Sequence, residues 1–307
     1  MIRKELYAWG GHSCLPSTSM MDMSDSLHLK SHAKVNLRLE ILKRREDGYH
    51  ELRTVFQKIS LYDTLHFFLK KEKGISIKTD HPELPVGKRN LVYKAAHAMF
   101  EACGYQGGVH VEIEKRIPLG AGLGGGSSNA ATTLTALNRL LEMHLSQKKL
   151  VEMGLGIGAD VPFFLLKGAA IGSGIGERLK KENLPSLWYV LIYPNFEVST
   201  RWAYQHFVLT NQRFRINLQR FLRTPEGISH ILLNHLEEVV SRRYPQISLM
   251  KKMVLSAGAL GALMTGSGPT VFGLFPEAKS AAKGCEEVKK SVRKKGWAVF
   301  KVRGIAT

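Results

Sequence analysis

From residue 33 the chain alternates. Ala33, Val35, Leu37, Leu39 and Ile41 fall on one side, and His32, Lys34, Asn36, Arg38 and Glu40 on the other. A period of two marks a β-strand with one buried face, so a half-buried strand is expected, with Lys34 and Asn36 adjacent on its polar face. A turn pivoting on Asp47-Gly48 follows, and Tyr49 and His50 lead out of it into strand-like segments across 54–68 and 74–78. Asn90 is placed to cap a helix carrying Leu91, Ala95, Ala98 and Met99, which stops near Gly104. Val109, Val111 and Ile113 alternate as another strand. Ala130, Leu134, Leu137 and Leu141 then recur at helical spacing and predict a helix over 129–141.

The second half mixes both periods. Residues 187–193 are a continuous apolar run ending at Pro194. Ser199 or Thr200 can cap a short helix bearing Trp202 and Tyr204. The stretch 211–224 is basic and irregular, helices are expected over 234–240 and 245–257, and a strand, glycine turn and strand over 263–272. An amphipathic basic helix (278–295) and a last strand (297–302) close the chain. No internal repeat is visible.

Between the strand at 109–113 and the helix at 129–141 lies Pro118-Leu119-Gly120-Ala121-Gly122-Leu123-Gly124-Gly125-Gly126-Ser127-Ser128, with glycine at five of the seven places from 120 to 126. Such a loop lets backbone N–H groups approach a ligand without Cβ clashes. A helix behind it adds unpaired N–H groups and a positive dipole end, which together favour phosphate. Ser127 or Ser128 also suits an ordinary N-cap. The loop fits G-x-G-x-x-G at Gly120, Gly122 and Gly125, but no Gly-Lys-Ser/Thr ends it, which excludes a Walker A loop.

Further on, Gly158-Ala159-Asp160-Val161-Pro162 sets an acid beside glycines and before a proline suited to a first helical turn. Asp160 is therefore either a helix cap or a group for proton or metal chemistry, and spacing alone leaves both open.

Composition narrows the class. The 307 residues suit two domains, and 44% hydrophobic content is that of a globular chain. No apolar run is long enough to span a membrane. Three cysteines, Cys14, Cys103 and Cys285, are too few and scattered for a disulfide framework or a thiolate zinc site, so a cytoplasmic setting is expected. The net charge of +18 favours anionic partners, but the basic residues are dispersed and lack interleaved aromatics. Nucleic acid is not expected as a partner on that pattern, although a basic RNA-binding module is the non-enzymatic alternative.

Together the glycine and acid segments resemble the GHMP kinase superfamily, the loop 118–128 being similar to its second motif and Thr265-Gly266-Ser267-Gly268-Pro269-Thr270 to its third; the stretch from Ala33 to Leu37 is more specific still. With Asp47-Gly48-Tyr49-His50 and residues 158–164, the pattern is most similar to the branch that phosphorylates 4-diphosphocytidyl-2-C-methyl-D-erythritol. Mevalonate- and homoserine-type kinases are the nearer alternatives within the superfamily. The resemblance implies an α+β, two-domain GHMP kinase fold with mixed or antiparallel sheets and helices. It implies an N-terminal extension (1–26), an ATP-binding domain (27–185) and a C-terminal domain contributing to substrate binding (186–307). It also implies ATP and Mg²⁺ as cofactors, a small-molecule substrate and no membrane partner. By motif position, Lys34 and Asp160 become the catalytic pair, and Asn36, Tyr49, His50, Thr200 and Tyr204 substrate contacts. The resemblance further makes Gly266, Ser267 and Gly268 a third, phosphate-side motif, and Ser127 or Ser128 the only candidate metal ligand. A dinucleotide-binding oxidoreductase would use a similar loop, but would place it near the start of βαβ units rather than after several antiparallel-looking strands.

Overall fold

The computed structural model describes residues 25–209 and 217–306. The extension before Asp25 and part of the basic stretch after residue 209 lie outside the described residues. The described residues open on a long antiparallel pair, β1 (Ser26–Arg44) and β2 (His50–Lys70). The strand-like segments at 54–68 are thus one strand. β3 (Gly74–Thr79), α1 (Leu91–Cys103) and β4 (Gly108–Glu114) follow, then α2 (Gly125–Leu140), α3 (Gln147–Ile157) and α4 (Val161–Leu165). A hairpin, β5 (Ala169–Gly174) and β6 (Arg178–Glu182), precedes β7 (Trp188–Tyr193). Next come α5 (Thr200–His206), α6 (Leu218–Phe221), α7 (Pro225–Ile231), β8 (Leu233–Asn234), α8 (His235–Arg243) and α9 (Gln246–Ser256). β9 (Gly261–Met264), β10 (Val271–Phe275), α10 (Ala278–Val292) and β11 (Ala298–Arg303) end the order.

Two sheets organise these elements. The first runs β3-β4-β2-β1-β8, with β5 and β6 branching from β2; its β3–β4 and β1–β8 pairs are parallel and the others antiparallel. β8, from beyond the expected division at residue 185, joins this first sheet through β1. The second sheet, β11-β7-β10-β9, is antiparallel throughout.

Three apolar clusters fill the spaces around the sheets. Leu65, Phe67 and Val111 pack with Ala95, Met99, Leu134 and Leu137, which joins the first sheet to α1 and α2. Val35, Leu37 and Val55 pack with Tyr189, Leu191 and Phe272, joining one sheet to the other. Val190, Ile192 and Phe275 pack with Leu236, Val240, Met250 and Val288, joining the second sheet to α8, α9 and α10. β7 therefore buries both faces, Tyr189 and Leu191 on one side and Val190 and Ile192 on the other. That is why its sequence is a continuous apolar run rather than an alternation.

β1 departs from expectation. It is buried on both faces across residues 33–41: Lys34 is 4%, Asn36 1%, Arg38 3% and Glu40 5% exposed. Its polar row is enclosed because it hydrogen-bonds inward. Arg38 Nη1 donates to the Ile231 carbonyl at 2.9 Å and Nη2 reaches Glu40 Oε1 at 2.5 Å, while Asn36 Nδ2 donates to Thr54 Oγ1 at 2.9 Å. Alternation located the apolar face correctly but could not show that the polar face has partners.

Candidate active site

The glycine loop is the joint between β4 and α2. The helix starts at Gly125, four residues earlier than the apolar spacing predicts, with Gly124 at its N-cap in a left-handed conformation (φ 71°). Neither serine caps it. Gly120 and Gly122 are also left-handed (φ 58° and 75°), so every second residue of the turn needs a conformation that side chains resist. The first α2 hydrogen bond of this end runs from Ser128 N–H to the Gly124 carbonyl, so the N–H groups of residues 125–127 precede the helical ladder.

The third motif braces the loop. A Cβ on Gly122 would lie 2.3 Å from the Thr265 carbonyl oxygen, and one on Gly266 would lie 3.0 Å from that of Gly122. The two glycine turns thus touch backbone to backbone. Thr265 Oγ1 accepts from Asn36 N–H at 2.9 Å, which ties the third motif to β1. Gly266 and Ser267 line the cleft beside the loop. Gly268 has another place: its N–H closes the turn onto the Thr265 carbonyl at 3.0 Å, and its Cβ position faces Met264.

Lys34 and Asp160 meet at the floor. Lys34 Nζ is 3.7 Å from Asp160 Oδ2 and donates to Asn36 Oδ1 at 2.5 Å. Its own N–H donates to the Leu123 carbonyl at 3.0 Å, so the lysine backbone is fastened to the glycine loop. A Cβ on Gly124 would stand 3.2 Å from Lys34 Cε and 2.7 Å from the Phe164 ring. Burial pushes the Lys34 ammonium below the ordinary lysine range, and the Asp160 carboxylate works against that push. Asp160 occupies the N-cap position of α4, but its side chain makes no capping bond. Of the two readings left open by the sequence, the cap is the one its side chain does not perform. The carboxylate is about one-third exposed, toward the cleft.

The opposite end of the same cleft, about 960 Å³ in volume, is built from side chains. The rings of His50, at the start of β2, and Tyr204, on α5, are 5.4 Å apart at 30°. Tyr49 lines the same end and is 59% exposed. Burial, with a smaller contribution from Arg44, holds the His50 imidazole below the usual histidine range. Burial, assisted by the Asp160 charge, raises the Tyr204 phenol. Thr200 Oγ1 and Ser267 Oγ are hydrogen-bonded at 2.8 Å, a link between α5 and the third motif. Ser199, rather than Thr200, caps α5, accepting from Trp202 N–H, so the Thr200 hydroxyl is not spent on the helix.

All the sequence-predicted residues therefore border one cleft except Ser128 and Gly268. Ser128 is buried, and its Oγ donates to the His32 carbonyl at 2.7 Å and accepts from Ser31 Oγ at 2.8 Å. Of the two serines, Ser127 is the one that faces the cleft. Sequence reasoning missed Lys115, which lines the cleft, and Asp63, whose Oδ1 accepts from Arg116 N–H and Ile117 N–H at 2.8 Å and whose Oδ2 binds the Lys115 ammonium. It also missed Asn234, which donates to the Met264 and Gly266 carbonyls at 2.7 and 2.8 Å and so holds the third motif. Asn234 carries a local signal only as the N-cap of α8, accepting from Leu236 N–H at 3.0 Å; its bonds to the third motif, like the Asp63–Lys115 contact, reach segments distant in sequence. Among the described residues there is no group of three or more His, Cys, Asp or Glu side chains placed to hold a metal, and no helix long and apolar enough to cross a membrane.

Comparison with known proteins agrees with this arrangement. Residues 90–168 match the GHMP kinases N terminal domain and residues 217–294 the GHMP kinases C terminal domain. A 4-diphosphocytidyl-2-C-methyl-D-erythritol kinase of Syntrophotalea carbinolica is 43% identical, covering 89% of this chain and 97% of that protein. One of Syntrophus aciditrophicus is 46% identical, covering 91% and 99%. A crystal structure of 4-(cytidine 5'-diphospho)-2C-methyl-D-erythritol kinase superposes with a TM-score of 0.78 at 35% identity, covering 92% of this chain and 100% of that one. The homoserine kinase from Cytophaga hutchinsonii shares the fold, with a TM-score of 0.72 at 22% identity over 94% of this chain and 98% of that one. With relatives this similar over nearly their whole length, the chain belongs to the 4-diphosphocytidyl-2-C-methyl-D-erythritol kinases of the GHMP kinase family.

Proposed function

We propose that this protein transfers the γ-phosphoryl group of ATP to the 2-hydroxyl of 4-diphosphocytidyl-2-C-methyl-D-erythritol, a step in the supply of isoprenoid precursors. The observation that carries the reading is the Lys34–Asp160 pair, 3.7 Å apart, between a glycine cradle and an aromatic end of one cleft.

The residues present fit a nucleotide triphosphate. Left-handed glycines at 120, 122 and 124 leave no room for Cβ atoms, and the N–H groups of residues 125–127 start a helix at the same place. Mg²⁺ needs few protein ligands when phosphates share it, and Ser127 is the loop hydroxyl that would hold it. When bound, ATP supplies the phosphoryl group and Mg²⁺ part of the neutralising charge.

The chain's own groups have the remaining work. Lys34 presents a cation where negative charge develops, held by Asn36 and by its backbone bond to the loop. Asp160 orients the acceptor hydroxyl and receives its proton. Tyr49 and Tyr204 supply faces for the cytosine ring, and His50 supplies ring nitrogens for its polar edge. A site built to hydrogen-bond that edge rejects acceptors lacking it, because its own buried polar groups would then be unpaired.

An assay coupling ADP release to a reporter, run in parallel with the cytidyl substrate, mevalonate and homoserine, tests the reading. ADP release with the first alone supports it. Folded protein that releases none with the cytidyl substrate overturns it.

A further inference from the structure

Lys58 lies directly across from Lys34 in the β1–β2 register, yet it takes no part in the chemistry of the cleft. Its side chain runs under α4. Nζ donates to the Phe164 carbonyl at 2.8 Å and to the Leu166 carbonyl. The ammonium also stands 5.8 Å from the Phe163 ring centre and 5.9 Å from that of Phe164. Among the described residues it forms no ion pair, and burial without a carboxylate beside it pulls its pKa down to about 8. A lysine buried at that cost, with both of its hydrogen bonds directed at one segment, is a fastening for that segment.

The segment matters because of what its two ends present. α4 is a single five-residue helix, too short to be held by its own ladder. Its first flanking residue is Asp160, 3.7 Å from Lys34. Near its other end, Phe164 packs where a Cβ on Gly124 would fall, beneath the glycine loop. The terminal carbonyls of a helix need donors, and a cation there also suits the negative end of the dipole. Lys58 Nζ provides both. Its backbone is tied in as well: Lys58 N–H donates to the Gly168 carbonyl at 3.1 Å, and its carbonyl accepts from Ile305 N–H at 2.9 Å. β2 thus grips the far end of α4 while β1, through Lys34, meets the near end.

We propose that Lys58 is a positioning residue for phosphoryl transfer: by binding the Phe164 and Leu166 carbonyls it holds α4 so that Asp160 stays opposite Lys34. The inference rests on the role given to Asp160 above. A residue acting only on orientation at the reacting centre changes turnover more than ground-state binding. Lys58 does not line the cleft, so a direct effect on either substrate is not expected.

The test compares wild type, Lys58→Met, Lys58→Gln and Lys58→Arg by steady-state kinetics with ATP and the cytidyl substrate. Each is measured about 15 °C or more below its own unfolding midpoint, so that every variant is folded during the assay. Lys58→Met and Lys58→Gln are expected to lose about tenfold or more in kcat, with both KM values within about threefold of wild type. Lys58→Arg, which keeps a cation able to reach two carbonyls, is expected to recover most of that loss. Unchanged kcat in Lys58→Met and Lys58→Gln overturns the proposal, as does a parallel change in KM or an arginine variant no better than methionine. Asp160→Asn, measured beside them, separates the two claims. Full activity there removes the role of Asp160 and this inference with it, whereas loss there with no loss in the Lys58 variants removes this inference alone.

Discussion

The two ends of the cleft are made in opposite ways. The glycine end is one continuous stretch, and what it offers a ligand is backbone: left-handed turns at 120, 122 and 124 and the first N–H groups of α2. The aromatic end has no contiguous source. Tyr49 and His50 come from the β1–β2 turn and Tyr204 from α5, more than 150 residues later, and they offer side chains. Backbone donors recognise a phosphate whatever it is attached to, whereas side chains can be chosen to read a base. On the proposed reading, the contiguous end carries the shared chemistry and the assembled one the selectivity, with Lys34 and Asp160 between them.

That contrast breaks first at the centre. Asp160→Asn is expected to lower kcat by about 10²–10⁴-fold, the range for a positioned acid or base. ATP affinity, followed by fluorescent-nucleotide displacement, should stay near wild type because the loop is untouched. Full activity in this variant would leave Asp160 an ordinary residue at a helix start.

At the backbone end, Gly122→Ala combines a left-handed strain of about 1–3 kcal/mol with a Cβ placed 2.3 Å from the Thr265 oxygen. The two turns must move apart, so the KM for ATP is expected to rise on the order of 100-fold and the unfolding midpoint to fall. The KM for the cytidyl substrate should change much less. Equal increases in both would mean that the two ends are not independent.

At the side-chain end the expected effect is of similar size at most and opposite in selectivity. Tyr204→Ala removes a stacking face, worth about 1–3 kcal/mol or about 5- to 150-fold in affinity. It should appear in the KM of the cytidyl substrate with the ATP KM unchanged.

The smallest effect is in pH. Because burial lowers the His50 pKa from 6.5, the ring is neutral at pH 7 and takes up its proton only as the pH falls below that value. The proposed contact with the polar edge of cytosine, if made by the neutral ring, is therefore expected at neutral pH and lost on acidification. The cytidyl KM should rise a few-fold between pH 7 and 5.5 in wild type. His50→Gln, with no titrating group, should flatten that rise.

The same contrast decides what could be read in advance. The glycine loop stood out because its signal is local: five glycines in seven places carry a larger backbone entropy cost than a plain connection needs. The start of α2 was not, since apolar spacing begins only where the helix meets the core and says nothing of the glycines that open it. Alternation identified Lys34 and Asn36 as neighbours, but their burial depends on α4, Thr54 and the third motif closing over β1. Within the resemblance, Tyr204 was placed only by its spacing from Val198-Ser199-Thr200. Its contact with His50 arises only when the α5 segment folds against the β1–β2 turn. Asp63 and Lys58 carried no signal, and Asn234 only that of a helix cap, because the contacts that matter here join groups far apart in sequence.

The most direct measurement of the central claim is to follow phosphorus itself. Purified protein is incubated with Mg-ATP and 4-diphosphocytidyl-2-C-methyl-D-erythritol, and ³¹P spectra are recorded over time. A growing phosphomonoester signal matched by ADP is expected, with the substrate's diphosphate signals retained and no transfer to mevalonate or homoserine offered in its place. Transfer to either of those with none to the cytidyl substrate would contradict the proposed activity.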